Sequence, residues 1–265
     1  MSDWGKGAKN NTIGWGQGAC DNTINWGKSQ KDSSVAASWS GDTDISGCSG
    51  SAGLAQIDNL NSMSFDGVND FIKVREFSNS SSAEGVIFGN ITISLWFKIG
   101  IGINYSHSNF VGGSNSTNSG LFQYFGVNNG FPEMYFQNDG GYQPIASTNI
   151  YDDTWHHIAI NYDTSVGTYG TFKAYLDGVN TFTLALSNTP TSPNWSRSRM
   201  LVIGGYRDTS FRNFPGSIDE LANFNIVLTE AEILSIYNAT AVVDGVNKTA
   251  DLSQLTTPPV AWYRM

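Results

Sequence analysis

The chain has 265 residues and a net charge of -9, and its 14 Lys and Arg never cluster, so no nucleic-acid footprint is expected. Charged residues make up only 14% while aromatics reach 13%, amid abundant Gly, Asn, Ser and Thr. That profile disfavours a helical bundle or a disordered chain and fits a strand-and-turn protein with wet loops. No apolar run approaches the ~18 residues of a membrane span, so no membrane partner is expected. The opening MSDWGKGAKNN lacks the apolar segment of a secretory leader, which predicts synthesis in a cytoplasm.

Residues 4 to 28 carry a repeat at a spacing of eleven, WGKGAKNNTIG then WGQGACDNTIN then WGK. Two glycines per repeat cost a helix about 1 kcal/mol each, and only one Trp and one Ile per unit could compensate. The repeat therefore reads as turns or extended pieces, too small to form a core alone. A flexible low-complexity tail is one reading. Regularly spaced tryptophans favour the other, a docking arm whose Trp4, Ile13, Trp15, Ile24 and Trp26 enter pockets on a partner or a sister subunit. A disulfide between Cys20 and Cys48 would staple only this region. The expected division is an arm over 1–34, a Gly/Ser-rich linker over 35–60, a sandwich over 61–240 and an extension over 241–265.

From Ser62 the texture changes. SMSFDGVNDFIKV alternates around a turn at Asp66-Gly67, and GNITISLWFKI sets Ile91, Ile93, Leu95, Phe97 and Ile99 on one face with Thr92, Ser94, Trp96 and Lys98 on the other. Between Asn104 and Tyr151, short apolar runs (FVGG, LFQYFGV, EMYFQ) predict two or three strands with long loops. From Asp153 to Leu186 three strands form an antiparallel meander, its last two joined by the hairpin signal Asp177-Gly178. MLVIGG is a further strand and FPGSIDELANFNIVL one or two more. Thr229-Glu230-Ala231-Glu232 is a capping box with Leu228 placed to staple on Ile233, so one short helix follows, with Ile233, Ile236 and Tyr237 inward. The expected fold is all-β, an antiparallel two-sheet jelly-roll sandwich with one short C-terminal helix and an extended N-terminal arm.

The order SMSFDGVNDFIKV, TISLWFKI, DTWHHIAINYD, TFKAYLDGV and LVIGGY…FPGSIDELANFNIVLTEAEILSIYN resembles the laminin-G-like, concanavalin A-like jelly-roll domains over roughly residues 61 to 240. The arm, with such a body behind it, looks like structural proteins of tailed bacteriophages. The closing VAWYRM also looks like the start of a motif that usually continues with Gly and acidic residues, as though the product were longer.

The resemblance sets the site expectations. Some relatives are glycosidases with paired carboxylates on one strand. Here Ser217 stands where the first acid would be, and adjacent Asp219 and Glu220 should point to opposite faces, so no enzyme is expected. His156 and His157 should likewise diverge, one beside the core and one at the surface, with His107 the only other histidine. Relatives commonly hold one structural calcium ion, which nominates Asp219 with Asp66 and Asp70. Sugar binding, by analogy of fold, would fall to Tyr105, Tyr124, Tyr142, Trp195 and Tyr206, with Tyr135 nearby. The function so implied is a non-enzymatic virion protein: a capsid decoration, head fibre or tail appendage. It would dock to other virion proteins by its arm, assemble as a homo-oligomer and offer a lectin-like domain to cell-surface glycans. The alternative is a bacterial surface or secreted carbohydrate-binding adhesion module.

Overall fold

The computed structural model describes residues 54–76, 90–103, 105–114, 122–136, 141–187, 200–205, 212–243 and 245–265. The Trp-Gly repeat, both cysteines, Trp195 and Tyr206 lie outside the described residues.

In chain order the strands are β1 (Gln56–Asp58), β2 (Met63–Asp66), β3 (Ile72–Glu76), β4 (Ile91–Lys98), β5 (Ser108–Ser114), β6 (Phe122–Asn128), β7 (Phe131–Phe136), β8 (Gly141–Pro144), β9 (Trp155–Asp163), β10 (Thr171–Leu176), β11 (Val179–Ala185), β12 (Met200–Ile203) and β13 (Pro215–Phe224). Helix α1 (Glu230–Asn238) follows, then β14 (Ala241–Val243), β15 (Val246–Ala250) and β16 (Ala261–Tyr263). One sheet runs β3-β12-β5-β6-β7-β8. The second runs β11-β10-β9-β4-β13-β16, with β2 also paired to β13, and a small third sheet orders β1-β15-β14. Every pairing is antiparallel, as hairpins and meanders require.

The two large sheets pack face to face on Leu95, Phe97, Phe110, Phe125, Met134, Phe136, Ile158, Phe172 and Phe214, all buried. Turn chemistry fixes the registers. Asp177 (φ 50°) and Gly178 (φ 78°) make the left-handed pair that matches strand twist between β10 and β11, and Asn129 (φ 49°) with Gly130 (φ 90°) does the same between β6 and β7. The predicted meander and capping box are both present: Thr229 Oγ1 accepts from Glu232 N at 3.2 Å while Thr229 N donates to Glu232 Oε2 at 2.7 Å.

Three features go beyond these expectations. The alternation of β4 sets Trp96 on the face opposite Ile91–Ile99, and that face too is buried, as far as Phe97, because α1 covers the outer face of that sheet. Trp96 stacks on Tyr237 with centroids 5.7 Å apart and planes at 17°. Its buried neighbour Thr92 is satisfied there: Thr92 Oγ1 lies 2.8 Å from Asn161 Oδ1 and accepts from Leu228 N at 2.9 Å, and Asn161 Nδ2 donates to Leu228 O at 2.8 Å. The stretch from Asn104 to Tyr151 holds four strands, since β8 pairs with β7 through Tyr135↔Tyr142 without any apolar period of its own. Finally, residues 241–265 are built into the body. β16 extends the seven-stranded sheet through Leu221↔Tyr263, and β1, inside the expected linker, pairs with β15.

Candidate functional site

The outer faces of the two large sheets differ. That of the seven-stranded sheet is roofed by α1 and the terminal segment. On the six-stranded sheet, pleat alternation turns Phe125, Val127, Met134 and Phe136 inward, which sends Asn109, Gly126, Glu133, Tyr135 and Tyr142 to the outer face.

Tyr142 is 41% exposed and is held from several sides. The His107 ring lies 4.4 Å from its centroid, the Tyr135 ring 4.7 Å, and Arg212 Nη2 donates to its hydroxyl at 2.8 Å with the guanidinium carbon 5.7 Å from the ring centre. His107 (φ 59°) and Arg212 (φ 58°) both adopt the left-handed backbone that non-glycine residues avoid. The carbonyl of Arg212 accepts from Asn109 N at 3.0 Å, which ties Arg212 to β5 two residues after His107.

Behind the ring sits Glu133, buried on β7. Its Oε1 accepts from His107 Nδ1 at 2.5 Å and its Oε2 from Asn128 Nδ2 at 3.1 Å. Burial pushes this carboxyl above the usual range, and the His107 hydrogen bond with the charges of His107 and Arg212 offsets part of that push. Asn109 and Asn213 flank the Asn109–Arg212 backbone bond. Both are buried, and neither side-chain amide has a hydrogen-bond partner among the described residues. Buried amides of this kind are normally satisfied by ordered water or by a bound polar group. Gly126, across from Asn109, lets the β5 backbone approach closely: a Cβ there would stand 2.0 Å from the Ser108 carbonyl.

Of the expected sugar-binding rings, Tyr142 and Tyr135 fall on this face. Tyr124 is opposite Tyr135 by backbone register. Tyr105 does not join them: its ring packs over Gly67, where a Cβ would come within 3.1 Å of its hydroxyl, and its carbonyl accepts from Asn129 N and the Tyr151 hydroxyl. His107, Glu133 and Arg212 were not singled out as ligands by sequence reasoning. They come from three separate segments, and the only sequence trace is an acid that opens the apolar run EMYF.

The calcium set does not assemble. Asp66 Oδ1 accepts from the amides of Val68, Asn69 and Asp70, and Asp70 Oδ2 accepts from Asp66 N, a reciprocal turn. Those backbone bonds hold the Asp66 carboxyl below its usual range. Asp66 faces Pro215 across the β2–β13 ladder, four residues and roughly 13 Å along the strand from Asp219. Asp219 is buried, with Oδ1 accepting from Glu220 N and Met265 N. Among the described residues no group of three His, Cys, Asp or Glu is placed to hold a metal. These three aspartates therefore do not fit one ion.

Two other expectations are corrected. Asp219 and Glu220 do not diverge, because a bulge interrupts β13 there and Glu220 adopts φ 51°. Both carboxyls reach the terminal segment: Trp262 Nε1 donates to Glu220 Oε2 at 2.5 Å and Arg264 Nε to Oε1 at 3.2 Å. Burial raises both, and Asp219 raises Glu220 further. Nor is either histidine of β9 at the surface. His156 is buried toward Phe97 and His157 toward Trp96 and Tyr237.

A family model described as the concanavalin A-like lectin/glucanases superfamily matches residues 66–234, more than half of the chain. The chain belongs to this superfamily. Solved structures also match, at low identity. Domain 4 of AbnA, a GH43 extracellular arabinanase from Geobacillus stearothermophilus solved with arabinotriose, is 17% identical, with a TM-score of 0.45 over 69% of this chain and 81% of that one. The CBM40 of the Ruminococcus gnavus IT-sialidase is 15% identical, TM-score 0.44, over 70% and 100%. A candidate carbohydrate-binding protein from Bacteroides ovatus is 14% identical, TM-score 0.49, and the match spans 75% of this chain but only 58% of that protein. At these identities the likeness concerns the fold alone. No curated protein matches the sequence significantly.

Proposed function

We propose that the sandwich is a non-enzymatic glycan-binding module, presented by a virion structural protein of a tailed phage. The observation that supports the binding reading is Tyr142: a ring 41% exposed on the outer face of the six-stranded sheet, fixed by His107, Tyr135 and Arg212. A fixed aromatic ring beside polar groups suits the apolar face and the hydroxyls of a sugar, and it costs little ordering on binding. The arm supports the rest: a Trp-Gly repeat that cannot fold alone reads as the anchor to other virion proteins, in a homo-oligomeric capsid decoration, head fibre or tail appendage. A glycan array with the full chain and with Y142A tests the first part. Binding by the wild type that Y142A loses, at unchanged melting temperature, supports it; silence of the wild type leaves a purely architectural protein. Deleting residues 1–34 tests the second. A folded body that no longer joins particles supports the anchor, and unchanged assembly rules it out.

A further inference from the structure

The buried acid behind the ring is the least expected group on this face. A carboxylate nearly sealed from water is costly unless it is paired, and a sandwich needs none here for its core, which lies on the other side of β7. Among the described residues, Glu133 Oε1 accepts from His107 and Oε2 from Asn128 at the β6–β7 turn. His107 is the side chain that lies against Tyr142, and its own backbone is held left-handed. Arg212 approaches the same ring from the other segment and takes its hydroxyl. The charged groups facing Glu133 among the described residues are thus His107 and Arg212, one hydrogen-bonded to it and both in contact with Tyr142.

We infer that Glu133 is the positioning residue of this face: through His107 it fixes the attitude of the Tyr142 ring, and its ionisation state sets whether the ring is presented for binding. The inference rests on the glycan-binding reading of the same face. Glu133 itself need not touch the sugar. Neutralising it removes the charge that anchors the imidazole and so loosens the contact between His107 and the Tyr142 ring. Binding then weakens as pH falls through the Glu133 titration. Burial moves that titration upward, toward mildly acidic conditions.

Two measurements on the full chain separate this inference from the reading beneath it. The first needs no sugar: ring-proton shifts of His107 and Tyr142 by NMR, in wild type and in E133Q, from pH 4 to 8. Expected are mutual ring-current shifts that collapse on acidification in the wild type and are already collapsed in E133Q at pH 7. The second repeats the glycan array across the same range, using the strongest wild-type hit as probe. Expected is at least a tenfold loss of affinity in E133Q at pH 7, and an acid limb in the wild type that E133Q lacks. Unchanged ring shifts in E133Q overturn the positioning role even if sugars bind. Collapsed shifts with no wild-type binding to any glycan uphold the positioning and overturn the glycan reading. An E133Q that merely melts earlier, with shifts and affinity intact, would show a purely structural acid and also overturn the inference.

Discussion

His156 and His157 are consecutive on β9 and face opposite layers of the protein with opposite electrostatics. His156 Nδ1 lies 2.8 Å from Asp177 Oδ2, and that hydrogen bond raises the imidazole above its ordinary value. His157 is wholly buried 2.8 Å from Ser94 Oγ, its Nδ1 has no partner among the described residues, and burial pulls it down to about 4. Stability that depends on a neutral His157 is complete above its unfolded value of 6.5 and is lost as pH falls toward 4, by about 3 kcal/mol. Stability from charged His156 has the reverse sense: complete below 6.5, lost as pH rises through the raised folded value. Urea midpoints at pH 4, 5.5 and 7 should therefore show H157Q losing less stability than the wild type on acidification, and H156Q losing more. Parallel curves for all three proteins would sink this assignment.

The hydroxyl of Thr92 ties β4 to the entry of α1, and a matched pair of variants can weigh it against the helix cap. T92V keeps the shape but strands Asn161 Oδ1 and Leu228 N without their partner, at a cost of about 2 kcal/mol. T229A removes one cap acceptor near the surface and should cost about 1 kcal/mol. Chemical denaturation should rank T92V as the more damaging. The reverse order would mean that α1 is held by its own cap rather than by the sheet.

What was legible in the sequence was whatever local chemistry determines. Asp177-Gly178 specifies a left-handed turn within two residues, and Thr229 with Glu232 specifies a helix start within four, so both were found. The alternation of Ile91 to Ile99 gave the inner face of β4 but could not show that α1, more than 130 residues later, would bury Trp96 as well. The ring of groups around Tyr142 was illegible for a stronger reason. His107 precedes β5, Glu133 sits on β7 and Arg212 precedes β13 of the other large sheet, so they meet only in the finished fold, and two of them depend on left-handed backbone that nothing in their side chains announces. The aspartate trio failed on direction. Antiparallel β2 carries Asp66 to the end of β13 away from Asp219, which spacing along the sequence does not reveal.

Two glycines separate a steric requirement from a conformational one. At Gly126 a Cβ would meet the Ser108 carbonyl at 2.0 Å and the Asn109 Cα at 2.8 Å, both backbone atoms that cannot swing away. At Gly102 the φ is 79° but nothing lies within 4 Å. G126A should therefore cost about 3 kcal/mol or more by overpacking, and it should disturb the seat of His107, one residue before Ser108. G102A carries only the left-handed penalty of about 1 kcal/mol. Thermal melts would settle the order, and a harmless G126A would show that β5 and β6 can part at this row.

The buried acid pair on β13 makes the terminal segment depend on pH in an unusual direction. Glu220 is raised by burial and by Asp219 while it accepts from Trp262 and Arg264. A carboxyl whose folded value is raised favours the folded state most when protonated, so this contribution is complete below the ordinary carboxyl range and declines as pH climbs through the raised value. E220A removes both acceptors and should cost about 2 kcal/mol at the acid end of the range, a gap that narrows as pH rises through the raised Glu220 value. E220Q keeps an acceptor for the Trp262 indole and removes the repulsion from Asp219, so it should be milder and should improve relative to the wild type as pH rises from 4 to 7. Urea titrations across that range would reveal the trend. A gap between E220Q and wild type that stays constant would mean that Glu220 is already ionised throughout and that Arg264, not burial, governs it.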